Sequence, residues 1–240
     1  MYKETIKVKY SDLDRTLTAS FAAMLRFFQN AAIDHTREVG FSLRNLYGKK
    51  NAWILISMNT EIYRYPEEAE EVLIKTYATS FDRILGKRSF SVTDKDGTEI
   101  ARASTVWVFT DTVSGKPCRI DKSIVSAYGA DYYEGLPYIR HEEGFIKGEA
   151  SYTITATNRD TDTNSHVNNV RLAEFLQEAV PINSKIHKAK IFYHSSVRAG
   201  DTVSAFVHHR GNEYHVCIED YEGKVMTAAQ FEIEVKDENI

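Results

Sequence analysis

The segment Asp160-Thr161-Asp162-Thr163-Asn164-Ser165-His166-Val167-Asn168-Asn169-Val170 gathers two carboxylates, an imidazole and three carboxamides into eleven residues. An apolar run at helical spacing follows at once. His166 carries the side chain whose unperturbed titration falls near neutrality, which suits it to take or give a proton. Asn164 can donate through its amide nitrogen and accept through its oxygen, so it can hold a carbonyl oxygen or fix an attacking water. Asp162 can orient either neighbour and favour a charged imidazolium. The start of the following helix leaves backbone N–H groups unpaired, and with the helix dipole they can stabilise a developing oxyanion. Capping and Asx-turns explain Asn164 or Ser165, and Asp160. They do not explain His166 ahead of Asn168 and Asn169, where helix propensity is poor.

A fainter copy of this segment lies at Tyr10-Ser11-Asp12-Leu13-Asp14. Residues 3–9 before it alternate as a half-buried strand. Residues 19–39 after it place Phe21, Met24, Leu25, Phe28, Ala31 and Ala32 on one helical face, with Ser20 as N-cap and Gly40 as the terminating glycine. Strand signals follow at 53–65, 72–81, 87–93 and 100–109, with Asp94-Lys95-Asp96-Gly97 as a hairpin turn. The order then repeats: strand 149–157, the polar motif, helix 167–179 closed by Pro181, and strands 189–195, 202–210, 214–221 and 225–235. Aligning Gln29 with Gln177 sets Asp12 on Asp160 and Asp14 on Asp162, an offset of 148 residues. A period this long predicts two duplicated domains of α+β class, each a long helix against an antiparallel sheet. The pattern breaks between 123 and 143, which predicts units at 1–130 and 144–240 with a linker at 131–143.

Composition narrows the function. A net charge of −4 gives no basic field for nucleic acid. Cys118 and Cys217 stand far apart without metal-finger spacing, as in a reducing compartment. The N-terminus lacks an apolar h-region and no run is long enough to span a membrane, so a cytoplasmic protein without membrane insertion is expected. Other candidates for chemistry are weaker. His208 and His209 should point to opposite faces of a strand. His194 and His215 are single strand histidines. Ser195-Ser196 lacks a nucleophile elbow, and Cys217 sits mid-strand.

At Asp162-Thr163-Asn164-Ser165-His166-Val167-Asn168-Asn169-Val170 the chain resembles the acyl-acyl carrier protein thioesterases, whose signature is D-x-N-x-H-V-N-N. Trp53, Arg64-Tyr65-Pro66, Asp94 with Gly97, and Trp107 ahead of Lys116-Pro117-Cys118-Arg119-Ile120 extend the resemblance into the first half. It implies two tandem hotdog domains, each a curled antiparallel sheet around a long central helix. It also implies Asp162, Asn164 and His166 as catalytic residues of a thioester hydrolase, with no cofactor and no metal. The first hotdog, with Asp14, Thr16 and Thr18 at the matching places, would receive the acyl chain. The implied reaction converts fatty acyl-acyl carrier protein to free fatty acid and carrier thiol. The implied partner is an acidic carrier protein, docked on Arg83, Lys87 and Arg88 or on Lys185, Lys188 and Lys190. A monomer or a homodimer is expected. An acyl-CoA thioesterase and a non-catalytic acyl-thioester-binding protein are the alternatives. One departure supports the second. Ser196 stands where the family carries a glutamate three residues after Tyr193, and the neighbouring cysteine of plant members is absent. Either the chain works without that carboxylate, or Glu174 or Glu178 on the helix substitutes, or activity is reduced.

Overall fold

The computed structural model describes residues 1–129, 133–182 and 184–235. Residues 130–132 and 236–240, at the edges of the expected domains and linker, lie outside the described residues. The chain divides into two units, Met1–Ile139 and Arg140–Ile240.

The first unit contains strand β1 (Tyr2–Lys7), helices α1 (Phe21–Glu38) and α2 (Leu43–Gly48), strands β2 (Asn51–Ile62), β3 (Glu71–Phe81), β4 (Leu85–Thr93) and β5 (Glu99–Asp111), and helix α3 (Lys122–Tyr128). Its strands lie in the order β1-β3-β4-β5-β2, each pair antiparallel. Helix α1 starts where Ser20 Oγ accepts from the Ala23 N–H at 3.0 Å. It ends at Val39, followed by Gly40 at φ 90°, a conformation that favours glycine. Its buried face carries Phe21, Met24, Leu25, Phe28, Ala31 and Ala32, and Phe28 packs on Phe90 of β4 at 5.2 Å. Burial of that face against the sheet supplies most of the helix's stability. Helices α2 and α3 are too short to show an apolar period in the sequence. They close a small cluster of Leu46, Ala78, Phe109, Ile120, Ile124 and Tyr128.

The second unit contains β6 (Glu149–Thr155), α4 (Asn169–Gln177), β7 (Ser184–Tyr193), β8 (Thr202–Arg210), β9 (Glu213–Glu219) and β10 (Val225–Val235). The order β6-β8-β9-β10-β7 repeats that of the first unit strand for strand. Each unit thus has the α+β hotdog arrangement. Helix α4 is shorter than the periodicity predicts, because Asn168 caps it. The Asn168 side chain accepts from the Val170 N–H at 2.8 Å, and the helical turn begins only at Asn169.

Residues 133–148, ahead of β6, are docked on the strands of their own units. In the first unit, Tyr133 stacks on Tyr77 at 4.5 Å, and the Pro137 carbonyl accepts from Asn59 and Ser104 at 3.1 and 2.9 Å. The hydroxyls of Tyr138 and Ser89 bond at 2.8 Å. Ser89 precedes the helix-facing Phe90, so this segment covers the opposite side of the sheet. In the second unit, Glu142 bonds His194, the Glu143 carbonyl accepts from Gln230 at 3.0 Å, and Lys147 pairs with Glu219 at 2.5 Å. Gly148 follows with its backbone against β8. A Cβ there would lie 1.9 Å from the Val207 carbonyl oxygen. Gly148→Ala is therefore expected to destabilise the protein by about 1–3 kcal/mol, the usual cost of overpacking. A thermal melt reads this as a fall of about 2–4 °C per kcal/mol. An unchanged Tm would show that the two backbones can separate freely here.

Candidate active site

The polar motif and its faint copy have the same backbone. In each half a 3-10 turn ends on an aspartate, Asp12 or Asp160. Its carboxylate accepts from the backbone N–H three residues earlier, Lys9 at 3.0 Å and Thr157 at 2.8 Å. The next loop closes between Asp14 N–H and the Thr18 carbonyl at 2.9 Å, and between Asp162 N–H and the His166 carbonyl at 2.7 Å. Leu17 and Ser165 both take a positive φ, 58° and 61°. The carbonyls of Asp12 and Asp160 both accept from the helix N-cap residue, Ser20 and Asn168, at 2.8 Å. Every one of these features recurs at the offset of 148 residues. The aspartates therefore serve a scaffold common to both halves, and the side chains set on it differ. Thr16 and Thr18 occupy the first loop, and Asn164 and His166 the second.

In the second loop Asp162 accepts from the Asn164 backbone N–H at 2.7 Å and from its carboxamide nitrogen at 3.4 Å. It reaches the backbone N–H of His166 at 3.4 Å and makes no bond to the ring. Among the described residues the His166 ring has no hydrogen-bond partner. Asp162 thus fixes Asn164 directly and His166 through the main chain. Asn164 keeps its carboxamide oxygen and one amide hydrogen for a ligand. All three side chains are half-buried. The backbone N–H groups of Asn169 and Arg171, in the first turn of α4, also have no partner among the described residues, and they point along the positive end of the helix.

A buried ionic network sits behind the loop. Asp160 is 3% exposed, and its carboxylate takes the Thr157 N–H and hydroxyl at 2.8 and 2.6 Å and Arg171 Nε at 2.9 Å. Burial by itself pushes this carboxyl up, but the Thr157 and Arg171 contacts outweigh it and hold it below the usual carboxylate range. Arg171 also bonds Glu174. That ion pair ties Glu174 to the scaffold. Glu178, nine residues beyond the start of α4, lies about 13 Å along the helix and is too far to substitute for the absent family glutamate.

Position 196 does lie beside the motif. The Val167 N–H donates to the Val197 carbonyl at 2.7 Å, and the Tyr193 hydroxyl donates to the Asn169 carbonyl at 3.2 Å. Desolvation of that hydroxyl pushes its pKa up, so it remains a donor. The first half has Pro66 accepting from Ala19 at 2.8 Å in the same role. On that match Ile62 stands for Tyr193 and buried Tyr65 for exposed Ser196. A tyrosine hydroxyl thus holds the start of the helix at this place in the second half, where the first half has Ile62.

Strand alternation corrects the docking expectations. Arg88 and Lys185 are 7% and 6% exposed, so neither can meet a partner from the surface. Lys188 is paired with Glu232 at 2.9 Å. His208 approaches His215 while His209 stacks on Tyr214, on opposite faces of β8. Among the described residues no group of three or more histidine, cysteine or acidic side chains could hold a metal ion.

The model of the acyl-ACP thioesterase N-terminal domain matches residues 1–128, and that of the C-terminal domain matches residues 146–237. The chain belongs to the acyl-ACP thioesterase family. An acyl-ACP thioesterase from Bacteroides thetaiotaomicron superposes with a TM-score of 0.87 at 24% identity, over 97% of both chains. The 12:0-ACP thioesterase from Umbellularia californica gives 0.80 at 18% identity, over 98% of this chain and 97% of that one. These likenesses establish the tandem fold of this family member. Among curated relatives, an oleoyl-acyl carrier protein thioesterase of Arabidopsis thaliana is 26% identical over 75% of this chain and 54% of its own length. A Cuphea viscosissima acyl-[acyl-carrier-protein] hydrolase is 22% identical over 75% and 47%. The chain spans about half the length of the curated relatives it matches. Those relatives are named as chloroplastic proteins, which overturns the expectation of a cytoplasmic protein. Among the described residues no helix is long and apolar enough to cross a membrane.

Proposed function

We propose that this chain hydrolyses fatty acyl-acyl carrier protein thioesters to free fatty acid and carrier thiol, with Asp162, Asn164 and His166 as the catalytic set. The observation that carries the reading is the contrast between two loops of one backbone, of which only the second presents a carboxamide and an imidazole. Asn164 and the N–H groups at the start of α4 polarise the thioester carbonyl. His166 takes a proton from water as the water oxygen attacks the carbonyl carbon. Collapse of the tetrahedral species breaks the C–S bond, and the proton passes to the departing sulfur. Asp162 holds Asn164 and the main chain of His166 in place. The first half receives the acyl chain, and the acidic carrier is the macromolecular partner.

Presenting one acyl group on carrier protein and on CoA tests the reading. The expected result is faster release of free acid from the carrier form. Equal or faster release from CoA would assign the chain to acyl-CoA hydrolysis instead. The exposed Ser196, which supplies no carboxylate beside the motif, favours a second reading as a non-catalytic acyl-thioester-binding protein. Tight binding of both substrates with no acid released would establish it.

A further inference from the structure

The first half lacks the imidazole and carboxamide of the second, but it holds an unusual polar group of its own. Arg88 lies on β4, two residues from Phe90 on the same helix-facing side, and is 7% exposed. Its Nη1 donates to Thr76 Oγ1 at 3.0 Å and contacts His35 Nδ1 of α1 at 2.9 Å. The guanidinium also sits 5.5 Å from the centre of the Tyr128 ring. The Tyr128 hydroxyl donates to Thr36 Oγ1 at 2.6 Å. All of these partners are neutral when His35 accepts from Arg88. Burial pushes the guanidinium pKa down, and among the described residues no carboxylate opposes that shift. Arginines this buried are nearly always paired with an acid, because an uncompensated interior charge is costly. The negative end of α1, where His35 stands in the last turn, offsets only part of that cost.

Two polar atoms on the same side of this sheet lack partners. Trp53 Nε1 and Thr60 Oγ1 are buried with no hydrogen-bond partner among the described residues. The Trp53 ring lies over Gly86, two residues from Arg88, where a Cβ would come within 3.1 Å of it. The second half shows what this site is without the cluster. Ile100 and Met226 each accept two successive strand N–H groups, and matching them sets Thr105 on Phe231 and Arg88 on Tyr214. An aromatic pair there replaces the arginine and threonine. The first half thus keeps a buried arginine and the unpartnered Trp53 Nε1 on one side of its sheet, with no carboxylate beside the arginine among the described residues.

We propose that the Arg88 cluster receives an oxygen carried on the far part of the acyl chain, so that the preferred substrates are acyl groups bearing a distal carboxylate or hydroxyl. The inference rests on the reading above that the first half binds the acyl chain. An oxygen acceptor would give Trp53 Nε1 the partner it lacks, and a carboxylate would also match the buried charge of Arg88. A methyl-ended chain offers neither.

The test uses the full chain and carrier thioesters of matched length, ending in methyl, hydroxyl or carboxylate. The expected result is a kcat/KM higher by about tenfold or more for an oxygenated chain, the scale of one hydrogen bond to a charged group. Arg88→Met, which keeps the stem and removes the charge, should abolish or invert that preference. Thermal shift with free α,ω-diacids against monocarboxylic acids of equal length gives a second readout. It requires no turnover and no folded variant. A larger shift with the diacids supports the assignment even if no thioester is hydrolysed, in which case only the catalytic reading fails. Equal or better performance of the methyl-ended ligand in both assays overturns the assignment.

Discussion

His166→Ala is expected to lower kcat on a carrier-linked acyl substrate by about 10²-fold or more, the usual contribution of a positioned general base. The structure makes this variant a clean probe. The His166 ring has no hydrogen-bond partner among the described residues, and the loop is held by the main chain: His166 N–H to Asp162 at 3.4 Å and His166 carbonyl to Asp162 N–H at 2.7 Å. Removing the ring leaves those bonds intact, so stability should move by no more than about 0.5 kcal/mol. A lost rate with an unchanged Tm therefore reports chemistry. The parallel change Thr18→Ala in the matching loop of the first half should leave the rate alone, since that loop presents no carboxamide or imidazole. Near-wild-type turnover by His166→Ala would remove the imidazole from the mechanism. It would leave Asn164 and the helix N–H groups as the catalytic contribution.

How much of this was legible without coordinates follows from which interactions are local. The loops after Asp12 and Asp160 close within nine residues, by caps and turns whose chemistry is written in the residue types. Ser20, Gly40 and the 148-residue offset could accordingly be read directly, and all recur in the structure. Strand register is different, because it is set by partners far away in the chain. The offset of 148 holds for the loops and falls to 131 at Pro66 and Val197, because α1 is longer than α4 and is followed by the additional helix α2. Matching Pro66 to Val197 instead needed the hydrogen bonds themselves. Arg88 shows the same limit. Its neighbours Arg83 and Lys87 suggested a basic surface cluster, but alternation on β4 turns Arg88 toward α1 while Lys87 faces Tyr138 on the other side. The short helices α2 and α3 escaped because six or seven residues carry too little periodicity.

Asp160→Asn is expected to cost about 2–3 kcal/mol of stability and to reduce kcat as well. The substitution keeps the size of the side chain. It removes the charge that meets Arg171 and puts a donor where Thr157 offers two donors. Breaking a buried ion pair costs about 3–5 kcal/mol. The lower figure applies here because Arg171 is 38% exposed and keeps Glu174 as a partner. The pH dependence fixes the cause. The folded protein holds the Asp160 carboxyl below its ordinary value. Its stabilisation is therefore complete above the unfolded pKa near 4 and is lost as pH falls through the lower folded value. The gap in ΔG between wild type and variant, from urea melts at a series of pH values, should be widest above about pH 5 and close below about pH 4. A gap that persists unchanged into acid would mean that packing, not charge, was lost. Asp12→Asn supplies the comparison. Its side chain is 15% exposed and its arginine partner, Arg26, stands 3.6 Å away, so the loss should be smaller. The rate should stay near wild type, because the loop above Asp12 holds Thr16 and Thr18. A fall in kcat confined to Asp160→Asn would then separate the two uses of one scaffold: folding in both halves, and presentation of Asn164 and His166 in the second alone.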